Sequence, residues 1–379
     1  MSFFSKTSSG NIQIDSLDGL RGFAMLLVLL SHTSTAFGPI IGVIFTGSGK
    51  YGVYLFFTLS SFLLSLPLLG KDDLFTKATW ARYSKRRFLR IYPLFAAVLI
   101  INYLIHATSG LDLYLYHSPY EIIKALLLIE EKGVFWSIAV EFKYYLVLPF
   151  VIIVFRKVFK NDLLSSAVFV IFIAALTEFL WPRANYAENS IALMPYLPIF
   201  LFGSLSALVY IKISEAGVRV NHPLVAPLPY TSLCMILITI PAFWGAFTGT
   251  EVAVTRFHKH YYFYGVLWPV FMLSFLMRPG LITSIFSSKA LRFLGFISFS
   301  AYLWHEFMIS LIKNHLGIDG QIGIALVFAS TFLLSAISYL LFEKPFVISR
   351  RGPASQQGGG LFDIGQGPIK ADTDTASGT

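Results

Sequence analysis

The sequence predicts an all-α fold, a polytopic membrane helical bundle with about ten transmembrane helices. Three observations predict it. The 379 residues are 56% hydrophobic and 13% charged, and a mean hydropathy of +0.69 lies well above that of a soluble domain. Apolar segments of spanning length recur along the chain. Lysine and arginine gather on alternate connections, as they do where cytoplasmic loops retain positive charge. The net charge of +9 is therefore read as topology, because the basic residues are dispersed among spans and form no soluble basic domain that would take nucleic acid. The single cysteine, Cys234, excludes an intrachain disulfide, a CxxC pair and a cysteine-clustered metal site, and no metal is expected.

Residues Met1 to Ser16 are polar and carry too little positive charge for a cleavable signal, so the first helix is expected to remain in the mature protein. That helix carries Asp18-Gly-Leu-Arg21-Gly and runs apolar to Ser31-His32. Eleven helical steps of about 100° return Arg21 and His32 to one face, roughly 16 Å apart along the axis, and Asp18 joins that face. Ionisable groups are costly in hydrocarbon, so the face should turn into the protein or a wet cavity. A buried interhelical polar contact would satisfy it as well as a functional site would.

Further spans are expected at 51–69, 88–106, 139–155, 163–181, 191–211, 226–247, 261–277, 291–312 and 321–342. Pro195 and Pro198 could break the first turn of one, and Pro227, Pro229 and Pro241 interrupt another. With a cytoplasmic N-terminus, the inside connections hold most of the cations, among them Arg82, Lys85, Arg86, Arg87, Arg156, Lys157, Lys160, Lys212 and Arg292. The outside ones hold only Lys50, Lys124, Lys132, Arg183, Arg256 and Lys259, so both termini are expected inside and the number of spans is even. The longest outside loop, 107–138, contains Asp112, Glu121, Glu130 and Glu131 and could lie over the external mouth. Residues 1–348 are read as the membrane domain, and 349–379, rich in Gly, Ser, Thr and Asp, as a disordered cytoplasmic tail.

Three later stretches add chemistry. Arg82-Tyr-Ser-Lys85-Arg86-Arg87-Phe-Leu-Arg90-Ile-Tyr-Pro93 places cations at the cytoplasmic entry of the third helix, with Arg86 and Arg87 each within a turn of Arg90. Planar guanidinium donors suit phosphate, while an anchor on anionic lipid is the plainer use of such a cluster. Phe135-Trp136-Ser137-Ile-Ala-Val-Glu141 enters the fourth helix from outside, leaving Glu141 near the external surface, where an ion pair with Lys143 is the simpler account. Phe293 to Glu306 runs outward along the ninth helix and ends in Tyr302-Leu-Trp304-His305-Glu306, whose aromatics could equally form an interface belt.

Taken together, these residues resemble a known family. Asp18-Gly-Leu-Arg21-Gly with His32 is similar to the arginine, ten residues, histidine signature of the acyltransferase-3 membrane family, and Arg87-Phe-Leu-Arg90 to its RxxR signature. Trp136-Ser-Ile-Ala-Val-Glu141 resembles its tryptophan–serine–x–x–x–glutamate segment, and Ile297-Ser-Phe-Ser-Ala-Tyr302-Leu-Trp304-His305 its serine–tyrosine–tryptophan–histidine segment. The matches come in family order over roughly residues 15–345. The chain departs from the pattern at Phe299, where a tyrosine is common, and lacks the fused esterase-like domain of some members, so transfer would be completed by the membrane part or handed to a partner.

The resemblance implies O-acyl transfer, commonly of acetyl from acetyl-CoA, to a hydroxyl of an extracytoplasmic or lipid-linked glycan such as exopolysaccharide, O-antigen or lipo-oligosaccharide at a bacterial inner membrane. His32, Arg21 and Glu141 are then the catalytic candidates, with His32 as general base and Glu141 orienting it or binding sugar. Arg86, Arg87 and Arg90 would bind the phosphates of acyl-CoA, and Asp18, Trp136, Tyr302 and His305 the substrates. Acyl-CoA, a glycan acceptor and membrane lipids are the expected partners. The rival class is a secondary transporter or flippase for an anionic sugar or lipid, but repeated halves with paired Gly/Pro-broken helices are not evident. A non-catalytic membrane scaffold would leave the polar face unexplained.

Overall fold

The computed structural model describes residues 12–41, 43, 45–70, 76–113, 116–216, 225–250, 253 and 257–345. The expected tail at 349–379, the first eleven residues and the outside cation Arg256 lie outside the described residues. The fold is an all-α polytopic bundle. Its helices are α1 (Ile12–Phe37), α2 (Gly49–Leu69), α3 (Lys77–Ser109), α4 (Pro119–Leu126), α5 (Trp136–Ile153), α6 (Leu163–Leu180), α7 (Leu197–Glu215), α8 (Leu228–Ile238), α9 (Pro241–Thr248), α10 (Tyr261–Met277), α11 (Leu281–Phe286), α12 (Lys289–Ser310) and α13 (Gly320–Ser338).

Every span expected from the sequence falls on helix. Among the described residues, seven helices, including α1, α2, α3, α6 and α7, are long and apolar enough to cross a membrane by length and composition. The segment at 226–247 is broken as its prolines foretell: α8 and α9 meet at 90°, with Pro241 opening the second piece. Pro195 and Pro198 fall in a short 3-10 turn and the first turn of α7, where a missing N–H costs nothing. The third helix starts well before the apolar segment, so the cationic stretch is helical throughout. Thr76 caps it by accepting from the Thr79 amide at 3.2 Å. The outside loop contains a helix the sequence reading did not place, α4.

Two neighbours cradle α1. It packs most extensively on α12 and next on α2, which in turn lies against α7. The seam with α12 depends on glycine: a Cβ at Gly22 would overlap the Leu291 carbonyl, and one at Gly295 the Asp18 carbonyl. Interhelical hydroxyl pairs fasten the centre elsewhere, with Ser65 donating to Ser204 at 2.8 Å and Tyr144 and Ser204 sharing a hydrogen at 2.6 Å. Burial sorts the bundle radially. The α2 window is 78% buried and that of α6 only 22%, so α2 is central while α6 offers side chains such as Phe172 and Phe179 to lipid. Three helices, α5, α12 and α13, run on into single π turns, a departure frequent beside functional sites.

Candidate active site

The polar face of α1 holds two groups of side chains, one per half. The first half carries Asp15, Asp18 and Arg21. Asp15 makes a buried ion pair with Arg292 of α12 at 2.8 Å. Arg21 donates from Nη2 to the Ser298 hydroxyl at 3.1 Å, and Ser298 donates back to the Gly295 carbonyl at 2.9 Å. Around Arg21, within electrostatic reach, stand Arg90, Asp18, Glu343 and Glu141. Glu343, at the end of the π turn after α13, is buried and accepts from Ser300 at 2.5 Å.

Arg87 extends this group toward α5. It lies near Arg90, Tyr83, Tyr145 and Glu141, and its buried Nε has no hydrogen-bond partner. Glu141 accepts from Ser60 of α2 and from Tyr145, each at 2.5 Å. Lys143, offered as its ion-pair partner, points elsewhere and donates to the Ile191 carbonyl at 2.7 Å. The expectation that Glu141 sits near the external surface or orients His32 is corrected: its charged neighbours are Arg21 and Arg87. The reason is helical phase. Glu141 lies more than a turn inside α5 and faces α2 and α3, whereas Lys143 is turned about 160° away by its two-residue offset. Arg86, half-buried, sits one turn before Arg90 on the same helix.

The second half of α1 carries His32. Its Nδ1 pairs with the Glu306 carboxylate of α12, and both side chains keep about a quarter or more of their surface open, at 30% and 26%. A carboxylate only accepts, so Nδ1 carries the hydrogen and Nε2 keeps its lone pair. Gly49 leaves that nitrogen approachable, since a Cβ at this position would stand 3.4 Å from Nε2. His305 is fully buried beside the pair, its ring 5.1 Å from that of His32 and edge-on to it. The Tyr302 carbonyl, 2.7 Å away, holds the Nδ1–H of His305 and turns an unpartnered Nε2 toward Glu306, 3.9 Å off.

The other expected substrate residues, Tyr302 and Trp136, are buried and brace the surrounding elements. Tyr302 donates to the Val134 carbonyl at 2.5 Å and shares a hydrogen bond with Ser137 at 2.7 Å, so α12 grips the loop entering α5. Trp136 lies under the ammonium of Lys50, 4.2 Å from its ring centre, and against Tyr196. Lys50 also reaches Asn189. In the loop between α4 and α5, burial pushes the Glu131 carboxyl up to about 8, against the hydrogen bond it accepts from Tyr116 at 2.9 Å.

The structure thus joins Arg21, Asp18, Glu141, Arg87 and Arg90 in one group and sets His32 and His305 in the other. Sequence reasoning missed two partners. Glu306 gains no role from the sequence because it stands immediately after His305, and adjacent helical residues point about 100° apart, which hides that both reach His32. Glu343 lies at the end of the last apolar segment, and a lone glutamate before Lys344 reads as an ordinary interfacial residue.

Comparison with known proteins decides the family. A family model described as "Acyltransferase domain" matches residues 14–343. The chain belongs to this acyltransferase family. It is 26% identical to Peptidoglycan O-acetyltransferase OatA of Listeria monocytogenes over 373 residues, which covers 88% of this chain and 55% of that protein. It is 23% identical to the Bacillus subtilis protein named "Putative peptidoglycan O-acetyltransferase YrhL", over 88% of this chain and 54% of the relative. The chain therefore spans little more than half the length of these relatives. No solved structure matches significantly.

Proposed function

We propose that the chain is a membrane O-acyltransferase that moves an acyl group, most simply acetyl, from acyl-CoA to a glycan hydroxyl. The observation that carries this reading is the His32–Glu306 pair, a base with a fixed tautomer placed inside a membrane span yet partly open. In the reaction, the acceptor hydroxyl oxygen attacks the thioester carbonyl while His32 Nε2 takes its proton. Collapse of the tetrahedral intermediate breaks the C–S bond, and the imidazolium returns the proton to the departing CoA thiolate. Glu306 holds the ring and offsets the positive charge it carries between those steps.

The arginine group is the proposed donor site. Arg87 and Arg90 suit the phosphates of CoA, and the unpartnered Nε of Arg87 is the donor available to them. The roughly 16 Å from Arg21 to His32 along α1 is a distance for a thin, extended pantetheine arm to cover. Asp18, Arg21, Glu141 and Glu343 keep the arginines oriented at little net charge. Trp136, Tyr302 and His305 would meet the acceptor, for which the names of the relatives favour peptidoglycan. In this reading the protein lies in a bacterial inner membrane with both termini cytoplasmic and the arginine group facing inward. Reporter fusions after Pro182 and after Lys212 test that orientation and should report opposite sides.

The deciding experiment gives purified protein acetyl-CoA with and without peptidoglycan fragments. Free thiol should appear only with acceptor, together with acetylated glycan by mass spectrometry, and neither with His32→Ala. Glycan or lipid movement across vesicles without thiol release would instead mark a transporter.

A further inference from the structure

Away from the proposed catalytic groups, three of the chain's eight histidines gather around one aspartate at the His32 end of the bundle. Gly110, in the left-handed region at φ 69°, ends α3 and folds the chain back, its amide held by the His106 carbonyl at 2.8 Å. This return places Asp112 over His106, with Oδ1 2.7 Å from the imidazole Nδ1. His117 comes to the same oxygen from the far side of the loop, its Nε2 3.6 Å away, and the two rings lie 4.7 Å apart.

The arrangement is fixed from outside the cluster. Leu113 and Tyr116 are buried and anchor the loop on either side. Ser118 caps α4, while Glu121 reaches back to accept from the His117 amide at 2.9 Å. Beyond Asp112, its backbone carbonyl accepts from His315 Nε2 at 3.2 Å, which ties the loop to the turn after α12. Yet His106 Nδ1 is buried and makes no hydrogen bond of proper geometry, although a carboxylate oxygen stands beside it. The nitrogen is therefore not spent as a hydrogen-bond donor, and its lone pair can serve as a ligand.

We infer that His106 Nδ1, His117 Nε2 and Asp112 Oδ1 form a binding site for a divalent transition-metal ion of the Zn²⁺ class. The three donor atoms lie within 4.8 Å of one another, and metal–ligand bonds of about 2.0–2.2 Å require donors about 3–3.5 Å apart, a small adjustment from the separations found. Two imidazoles and one carboxylate choose Zn²⁺, Ni²⁺ or Cu²⁺ over Mg²⁺ or Ca²⁺, which favour all-oxygen sets. Asp112 and His117 are exposed, so the ion has a path in and an open position for water or a solute group. A lone cysteine excludes a thiolate cluster but not one of histidines and a carboxylate. Bound metal would staple the end of α3 to the start of α4 and, through the Asp112 carbonyl, to the turn after α12.

The test titrates Zn²⁺ into the detergent-solubilised full chain against a chromophoric chelator, with Mg²⁺ in excess. One Zn²⁺ per chain should bind, at least tenfold more weakly in His117→Gln and in His106→Ala, and less than about threefold more weakly in His315→Ala, whose ring holds the loop through the Asp112 carbonyl but supplies no ligand. His117 is a surface residue, so its variant remains informative if His106→Ala fails to fold. Equal affinity in the wild type and His117→Gln would overturn the assignment. So would loss of the ion in His32→Ala with retention in His117→Gln, which would move it to the cluster of His32, His305 and Glu306.

Discussion

The two halves of the polar face of α1 differ in how their charge is matched. Around Arg21, three guanidinium groups stand among three carboxylates, with hydroxyls of Ser60, Ser298 and Ser300 filling the gaps. Around His32 there are one carboxylate, a second imidazole and, within electrostatic reach, the Lys50 ammonium. A crowded, nearly neutral network resists displacement and suits holding a charged ligand in one place. A sparse pair leaves one nitrogen uncommitted and suits moving a proton. The comparison teaches that the first group should govern donor affinity and the second the chemical step.

That division can be broken in either direction. The largest effect is expected for His32→Ala, which should lower kcat by about 10³-fold with donor affinity unchanged, since only the proton acceptor is lost. A variant that still transfers at near wild-type rate would remove His32 from the mechanism, and His305 becomes the next base to test. Glu306→Gln should follow at about 10²-fold in kcat, because an amide oxygen can still hold Nδ1 but carries no charge to offset the imidazolium. Arg87→Ala should weaken acyl-CoA binding by about tenfold to a hundredfold in calorimetry while leaving turnover at saturating donor within a few-fold. An unchanged Kd in a folded Arg87→Ala would return the cationic stretch to the role of lipid anchor. The smallest effect concerns Glu131. Its folded-state pKa is raised to about 8, so the stability it lends is full below about pH 4 and is lost as pH rises toward 8. Thermal unfolding should therefore drop by about 5 °C between pH 5 and pH 9, and Glu131→Gln should flatten the profile.

How much of this was legible beforehand differs between fold and site. Span positions follow from apolar length, which bilayer thickness dictates residue by residue, so α6 and α10 were placed almost to the residue. The shared face of Arg21 and His32 follows from helical period and needs no partner to be known. What the period cannot say is which helix comes to lie opposite. Glu306 and Glu343 meet the face of α1 from 274 or more residues away, and only the packing of α12 and of the turn after α13 brings them there. Glu141 shows the converse: its depth in α5 was close at hand in the sequence, but its company was not. The loop histidines were invisible for a related reason, since Gly110 and the α4 cap, rather than any regular period, fold them together.

The close seam between α1 and α12 also has a bearing on biogenesis. A membrane protein is inserted from its N-terminus, and the carboxylate that completes the His32 pair is made 274 residues after the histidine itself. Until Gly295 docks beneath Asp18, the nascent protein holds its proposed base without the group that aims it. In the proposed mechanism, half-inserted intermediates would lack an aimed base, and transfer would await the docking of α12 against α1.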